Sequence, residues 1–123
     1  MLDFNNKSIV KLSLDKNPKD KDILDLLVHG EQVVSSYSSM RDYVVFTTKR
    51  LISVNVQGLT GKKKDFTSLP YSKVQAFSIE TAGHLDLDSE LTLVFSGLGT
   101  VKFEFTGNCD IKSIAQLIAS SSF

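Results

Sequence analysis

The sequence feature that most constrains the fold is the stretch of residues 33–64, in which three runs of strand-forming residues follow one another with almost no connecting chain. Only two residues separate each run from the next, so consecutive runs pair by folding back on themselves. Charged residues fill both junctions, which suits the exposed reversal of a hairpin. The stretch predicts three strands of an antiparallel meander, at Val33–Met40, Tyr43–Thr48 and Leu51–Val56.

The apolar residues of these runs predict how the sheet is covered. In the third run Ile52 and Val54 alternate with Ser53 and Asn55, and this period of two is typical of a half-buried strand. The second run, Tyr43–Thr48, is apolar on both of its faces. A strand of that kind is typical of a sheet position that is covered on each side.

Length and composition exclude several classes of protein. The chain has 123 residues, of which 41% are hydrophobic and 23% charged, as in an ordinary globular protein, so we expect one domain with its own core. The 14 basic residues equal the 14 acidic ones in number. Because a nucleic-acid binder usually carries a basic excess, we expect no nucleic-acid partner.

Cysteine use and hydropathy predict the compartment. Cys109 is the single cysteine, which leaves no intramolecular disulfide and fits a reducing compartment. The N-terminal residues lack the basic lead and apolar core of a secretion signal, and no apolar run approaches the ~20 residues needed to cross a bilayer. We therefore predict a cytoplasmic protein.

A helix is predicted before the meander. Asn17 is a good N-cap, and Pro18 fits the first helical position, whose N–H has no partner in any case. Apolar residues follow at helical spacing, and Gly30 is placed to end the helix. These signals predict a helix over Lys19–His29.

The first residues of the chain carry little pattern. The apolar residues in the segment 1–16 fit a short strand, a helical turn or an arm that becomes ordered only against a neighbour, and these alternatives stay open. We therefore predict an N-terminal arm over residues 1–16, followed by a single domain over residues 17–123.

Four further strands and a second helix are predicted after the meander. Short and alternating apolar runs place the strands at Asp65–Leu69, Val74–Glu80, Leu91–Phe95 and Val101–Phe105. Asp110 can cap a helix that runs to Ser120 and carries a stripe of isoleucines. Seven antiparallel strands in two near-orthogonal sheets would leave a gap that such a helix can plug.

Several motifs carry a resemblance to a known family. They are, in chain order, Gly30-Glu31, Arg41-Asp42, Val45-Phe46-Thr47-Thr48-Lys49-Arg50-Leu51-Ile52, Gln57–Lys63, Ser78–Gly83 and Asp86–Leu91. On these motifs the chain, from about Leu26 to Ile118, resembles the bacterial pleckstrin-homology (PH) domain family. The resemblance implies a mainly-β, PH-like fold: a seven-stranded antiparallel open barrel capped by a C-terminal α-helix.

The resemblance also implies a mode of action. It implies a small bacterial protein of uncharacterised biochemical role that assembles as a closed homo-oligomeric ring, with five-fold symmetry as one option. A polar surface near the subunit junctions is then the expected binding site for an unknown protein partner. The unpaired edge strands of an open barrel give a physical reason for such assembly. We predict a non-enzymatic binding or scaffold module.

Seven residues form the candidate surface for a partner or an anion. They are Arg41, Asp42, Lys49, Arg50, Lys62, Lys63 and Lys64. The basic ones could bind an anionic headgroup or an acidic partner, or could be solvated turn residues that protect strand edges. Arg41 and Asp42, with Glu31, could instead form an ion pair that fixes a turn.

A peripheral membrane protein that recognises anionic lipid through its basic loops is the alternative function. It is less favoured because the first turn of the predicted meander is short and offers mainly Arg41, with Asp42 beside it. Fold similarity alone does not establish lipid binding.

No motif indicates catalysis, a metal or a cofactor. His29 and His84 are far apart and lack neighbouring ligands. The acidic residues around Ser89 lack the frame of a calcium loop, and the segment 58–62 lacks the rest of a phosphate-binding loop. Cys109 has no evident activating base. We predict no enzymatic activity, no cofactor and no metal site.

Overall fold

Eight strands and two helices make up the described part of the chain. The computed structural model describes residues 1–15 and 20–122, and the side chains of residues 6–8 are outside that description. The strands are β1 (Asn5–Leu14), β2 (Val33–Ser38), β3 (Tyr43–Thr47), β4 (Arg50–Gln57), β5 (Lys63–Pro70), β6 (Ala76–Glu80), β7 (Ser89–Phe95) and β8 (Gly99–Phe105). The helices are α1 (Lys21–Leu26) and α2 (Ile111–Ser122), and a 3-10 turn covers Tyr71–Lys73.

The strands form one open sheet in the order β5-β4-β3-β2-β1-β8-β7-β6. The meander predicted from residues 33–64 is confirmed, since β2, β3 and β4 pair antiparallel with Tyr43 opposite Val54 and Phe46 opposite Leu51. β5 extends this group, and β6, β7 and β8 form a second antiparallel group. Because the order does not return to its start, the curled sheet is a half-barrel with edges at β5 and β6.

The predicted number of strands, the number of sheets and the all-antiparallel pairing are wrong. Seven antiparallel strands in two sheets were expected, whereas the described residues contain eight strands in a single sheet. The additional strand is β1, inside the segment predicted as an N-terminal arm. It joins the two groups by pairing antiparallel with β2 and parallel with β8. Of the three conformations left open for residues 1–16, the strand is the one that residues 5–14 adopt.

A β-bulge explains why β1 carries so little pattern. Ile9 pairs with Phe103 and Leu12 pairs with Phe105, so three steps along β1 match two steps along β8. Lys11 has a φ of 59° at this point, in the left-handed region that crowds the Cβ of an ordinary residue. The extra residue breaks the period of two, and the strand bends where it passes from β8 to β2.

The N-terminal helix begins at a different cap from the one predicted. The Asp20 side chain accepts a hydrogen bond from the Asp22 amide and caps α1, which therefore starts later than the predicted Lys19–His29. The predicted cap residues Asn17 and Pro18 lie outside the described residues.

The same helix also ends earlier than predicted. Leu27 is already extended, with a ψ of 141°, and Gly30 sits in a separate turn with a φ of 82°. Between them the Val28 amide donates to the Glu31 carboxylate at 3.0 Å. The residues that were expected to finish the helix therefore form a turn around Glu31, which is buried.

Two apolar clusters hold the sheet between the helices. The inner cluster lies inside the curl, where α2 presents three isoleucines, Ile111, Ile114 and Ile118, to the sheet. The outer cluster joins α1 to the back of the sheet through Ile23, Val45, Ile52 and Val54. β3 contributes Phe46 to the inner cluster and Val45 to the outer one, so the prediction that it is covered on both sides is confirmed. The predicted cap Asp110 is confirmed too, because it accepts from the Ser113 amide at 3.1 Å.

The polar side of β4 faces the inside of the half-barrel. Ser53 is 5% exposed, and Thr67 of β5 stands directly opposite it. Asn55 and Asp65 form the next pair on the same side of these two strands. Because α1 covers the other side of β4 at Ile52, this strand is covered on both sides at Ser53, where half-burial was expected.

Candidate functional site

The seven predicted surface residues do not form one patch. Lys49 and Arg50 lie at the end of β4 that joins β3, whereas Lys62 and Lys63 lie at the other end, where Lys63 pairs with Gln57. The strand has eight residues, so roughly 23 Å separate its ends at about 3.3 Å per residue. Arg41, in the turn between β2 and β3, is on the side of Lys62, because β3 starts opposite the last part of β4.

Arg50 is held by groups within the chain. Its Nε and Nη2 donate to the two carboxylate oxygens of Glu31 at 2.9 and 3.0 Å. Its Nη1 donates to the Ser68 hydroxyl at 2.9 Å, and Nη2 also donates to the Leu26 carbonyl at 2.7 Å. All three guanidinium nitrogens therefore have internal partners, and Arg50 ties the end of α1 to β4 and β5.

Glu31 is the buried half of this ion pair, with a side chain that is 0% exposed. Its carboxylate also accepts a hydrogen bond from the Thr47 hydroxyl at 2.6 Å. Burial raises the pKa of Glu31, but the hydrogen bonds from Arg50, Thr47 and Val28 together outweigh it and lower that pKa from 4.5 to about 2. The carboxylate therefore stays charged inside the protein at neutral pH.

Lys64 is paired on the outer side of the sheet. Its Nζ donates to the Asp22 carboxylate of α1 at 3.0 Å and lies 5.8 Å from the centre of the Tyr43 ring. The hydrogen bond to Asp22 raises the pKa of Lys64. The Tyr43 hydroxyl in turn donates to the Asp20 carboxylate. Lys64 therefore helps to hold α1 against the sheet.

Arg41 and Asp42 connect two turns at one end of the sheet. Arg41 donates to the Gly58 carbonyl of the β4–β5 turn, and the Asp42 carboxylate accepts from the side-chain amide of Asn55 at 2.9 Å. No ion pair joins Arg41 to Asp42 or to Glu31 in the described residues. We call this end of the sheet, formed by residues 39–42 and 58–62, the double-turn end.

The double-turn end presents both apolar and basic side chains to solvent. Met40 and Leu59 stand at the tips of the two turns with exposures of 101% and 106%. The side chains of Lys62 and the adjoining Lys63 are exposed and have no hydrogen-bond or ion-pair partner in the part of the chain that the structure describes. Lys49 is exposed as well, but it lies at the opposite end of β4.

A cleft of about 150 Å³ opens on the inner side of the sheet near the double-turn end. Residues of β4, β5, the β2–β3 turn and the N-terminal segment line it, among them Asp3, Asp42, Ser53, Asp65 and Thr67. The Met1 ammonium lies 2.8 Å from the Asp65 carboxylate, and the Leu2 amide donates to the Thr67 hydroxyl at 2.9 Å. The first residues of the chain therefore form one wall of the cleft.

The cleft was not predicted from the sequence. One pattern in the sequence could have indicated it, because polar residues occupy every second position in two neighbouring runs. They are Ser53 and Asn55 in β4 and Asp65 and Thr67 in β5. That pattern usually marks a solvated face, because it does not say which side of the strand the helices cover. The contribution of Asp3 depends on β1, which was not predicted either.

The described residues hold no constellation typical of catalysis by a metal or a thiol. In residues 1–15 and 20–122, no group of three or more histidine, cysteine, aspartate and glutamate side chains is arranged to hold a metal ion. Cys109 is half-buried, and burial raises the pKa of its thiol, which disfavours the reactive thiolate. None of the described helices has the length and apolar character needed to span a bilayer.

Comparison with known families decides the identity of the fold. The family model described as Bacterial PH domain matches residues 3–122, which is nearly the whole chain. The chain belongs to the bacterial PH domain family. The resemblance inferred from the sequence motifs is thereby confirmed, and so is a mainly-β, PH-like half-barrel with a C-terminal helix.

Relatives of this bacterial PH domain include two proteins of Bacillus subtilis (strain 168). Uncharacterized protein YjqA is 43% identical over 102 residues, which cover 81% of this chain and 82% of YjqA. Uncharacterized protein YozO is 31% identical over 106 residues, covering 86% of this chain and 91% of YozO. These relatives therefore match the domain over most of their own length.

Solved structures of PH-domain proteins share the architecture. A DUF1696 family protein with a pleckstrin-homology domain from Shewanella loihica PV-4 superposes with a TM-score of 0.74 at 34% identity, covering 92% of this chain and 98% of its own. A pleckstrin-homology domain from Shewanella amazonensis SB2B superposes with a TM-score of 0.62 at 37% identity, covering 83% of each chain.

Proposed function

We propose that this bacterial PH domain is a non-enzymatic binding or scaffold module that works as a ring-shaped homo-oligomer. The observation that carries the proposal is the pair of edges left by the open sheet, β5 and β6. In the described residues no backbone hydrogen bond reaches the free edge of β6, the edge that faces away from β7. An edge strand of this kind is a template for pairing with another chain.

The two edges differ, and this favours a head-to-tail contact between subunits. β6 has five residues and β5 has eight, so the edge of one subunit would meet a different edge of the next. Such contacts close into a ring when the rotation between neighbours divides a full turn, and five-fold symmetry is one solution. A ring repeats the same surface, so that weak contacts with a protein partner add up through multivalency.

Light scattering at several protein concentrations tests the assembly. We expect a stable mass several times the 13.6 kDa of one chain. Ser78 is exposed on the β6 edge, so Ser78→Lys should lower that mass by blocking edge pairing. Ser96→Lys, in the exposed turn between β7 and β8, is the matched control and should leave the mass unchanged. A monomer at all concentrations would overturn the ring.

Binding to an anionic membrane is a second candidate function, supported by the composition of the double-turn end. Met40 and Leu59 project there as fully exposed apolar side chains, next to the exposed Lys62 and Lys63. Apolar tips can enter the interface of a bilayer while the adjacent lysines meet lipid phosphates, at about 1 kcal/mol for each lysine.

Flotation with vesicles that contain anionic lipid tests this second function. If it holds, the protein floats with the vesicles, and reversing Lys62 and Lys63 to glutamate releases it. Lys49→Glu is the matched control, because Lys49 is equally charged and exposed but lies at the far end of β4. Flotation that does not change in the double reversal would exclude the double-turn end as a membrane site.

A further inference from the structure

We infer that the inner cleft is a binding site for a primary ammonium group on a short aliphatic chain. Three aspartates are among the lining residues, Asp3, Asp42 and Asp65, and the Met1 ammonium is the single cationic group of those residues. Lysine and arginine are absent from the lining, so the cleft carries a net negative charge. A cationic ligand is the one that such a wall attracts. This inference does not depend on how many subunits assemble.

The hydroxyl of Ser53 also points to a ligand, independently of the aspartates. Ser53 is 5% exposed and lines the cleft, and its hydroxyl has no hydrogen-bond partner in the described residues. Every fully enclosed side-chain oxygen or nitrogen in those residues has a hydrogen-bond partner. Because the Ser53 hydroxyl has none, it is not fully enclosed, and the cleft is the opening that Ser53 lines. It is therefore available to accept a hydrogen bond from a ligand inside the cleft.

Two carboxylates of the cleft also keep unused oxygens. Asp42 uses Oδ1 to accept from Asn55, and Asp3 uses Oδ1 to accept from the Asn5 amide. The Oδ2 atoms of both have no hydrogen-bond partner in the described residues. An ammonium group has three N–H donors, which matches two carboxylate oxygens and one hydroxyl.

One of the three aspartates is already paired, in an exposed ion pair with the Met1 ammonium. The Met1 ammonium pairs with Asp65 at 2.8 Å, which leaves Asp3, Asp42 and Ser53 for a second cation. The remaining cleft has a volume of about 150 Å³, and a cavity of about this size holds a molecule of the size of benzene. A four-carbon alkylammonium is of that size. It occurs in free diamines and in the lysine side chain of a protein, and both share the chemistry of the inferred ligand.

Titration of the full chain with n-butylammonium, followed by NMR, tests the inference. We expect saturable shifts of the backbone amides of Ser53, Asn55 and Thr67, with a Kd of about 1 mM as befits a ligand of five heavy atoms. Butan-1-ol has the same carbon chain without the charge and should cause no saturable shift. Shifts that do not saturate, or that butan-1-ol reproduces, would overturn the inference.

Matched variants locate the site. Asp42→Asn should weaken butylammonium binding about tenfold, because an amide keeps the bond to Asn55 but loses the charge. Asp25→Asn, on the exposed side of α1, is the control and should bind like the parent chain. Ser53→Ala should weaken binding as well, and it serves if Asp42→Asn does not fold. Equal binding by the parent chain, Asp42→Asn and Ser53→Ala would overturn the inference.

Two further ligands separate the sources of the ammonium group. The titration is repeated with 1,4-diaminobutane and with Nα-acetyl-lysine methylamide, each against the parent chain and Asp42→Asn. Tighter binding of the diamine assigns the cleft to a small free amine, and tighter binding of the lysine derivative assigns it to a protein side chain. Failure of both to bind would contradict the inference, and it would leave the proposed oligomer untouched because the mass measurement is separate.

Discussion

The guanidinium of Arg50 holds the carboxylate of Glu31 through two hydrogen bonds of 2.9 and 3.0 Å, one to each oxygen. The pair joins residues on either side of the β2–β3 hairpin, because Glu31 precedes β2 and Arg50 opens β4. The Glu31 side chain is 0% exposed, and Arg50 supplies the counter-charge for its buried carboxylate. The sequence suggested that Arg50 belongs to a site for an external anion, but its guanidinium binds the carboxylate of Glu31 within the chain.

Removal of the cation should destabilise the fold strongly. Arg50→Ala leaves the Glu31 carboxylate buried without a counter-charge, so we expect the free energy of unfolding to fall by ~3–5 kcal/mol in a urea titration. Lys49→Ala is the control, since Lys49 is exposed beside Arg50 and its loss should change stability by less than ~0.5 kcal/mol. A loss below ~1 kcal/mol in Arg50→Ala would show that the pair contributes little.

Stability should fall with pH as Glu31 becomes protonated. The pKa of Glu31 is about 2 in the folded chain and 4.5 as its ordinary value, so the unfolded state takes up the proton first as the pH falls. The stabilisation is complete above pH 4.5 and is lost between pH 4.5 and about pH 2, to a total of ~3 kcal/mol.

Urea titrations at pH 5, 4 and 3 measure this loss. Glu31→Gln is the control variant, because it has no proton to take up at this position and should show a flatter dependence over the same window. The same slope in the parent chain and in Glu31→Gln would mean that other carboxylates cause the acid sensitivity.

Gly99 should not tolerate a side chain. Its φ is 128°, and a Cβ at this position would overlap the carbonyl oxygen of Phe4, which accepts a hydrogen bond from the Thr100 amide. We expect Gly99→Ala to lower the free energy of unfolding by about 3 kcal/mol in a thermal or urea titration. Gly97→Ala is the matched control, with a φ of 79° but nothing within 4 Å of its Cβ, and should cost only about 1 kcal/mol.

The bulge in β1 should respond to glycine in the opposite sense from an ordinary strand position. Lys11 is exposed and has a φ of 59°, so Lys11→Gly relieves crowding and should stabilise the chain by about 0.5 kcal/mol. Lys11→Val should destabilise it by about 1–2 kcal/mol, because a β-branched residue fits this conformation poorly.

An exposed lysine of a regular strand provides the comparison for Lys11. Lys102→Gly in β8 should destabilise the chain by about 1 kcal/mol, since glycine in a strand interior costs backbone entropy. Urea titration of Lys11→Gly, Lys11→Val and Lys102→Gly measures these changes in the free energy of unfolding. A loss of the same size in Lys11→Gly and Lys102→Gly would show that the bulge is not strained.

Local patterns predicted the parts of the fold whose partners are close in sequence. The three-stranded meander follows from two-residue junctions, and the coverage of β3 on both faces follows from Val45 and Phe46 lying side by side. The cap of α2 at Asp110 is equally local. In each case the residues that set the structure lie within a few positions of one another.

The rest of the fold depends on contacts between distant residues. β1 breaks its own period at Lys11, and α1 stops early because residues 27–31 fold around a carboxylate whose partner is Arg50. The double-turn end and the inner cleft each combine segments that the sequence keeps apart. Of the candidate surface, Arg50 and Lys64 turned out to have internal partners, while Lys62 and Lys63 are exposed together.

The position of β1 also sets the order in which the chain can fold. Its parallel partner is β8, so Asn5 must find Thr100 after the six intervening strands have been made. Closing a loop of that length costs entropy before any contact repays it, and folding that depends on such contacts is slow. During synthesis β2, β3 and β4 can pair as they leave the ribosome, whereas β1 must wait for β8 before its parallel pairing can form.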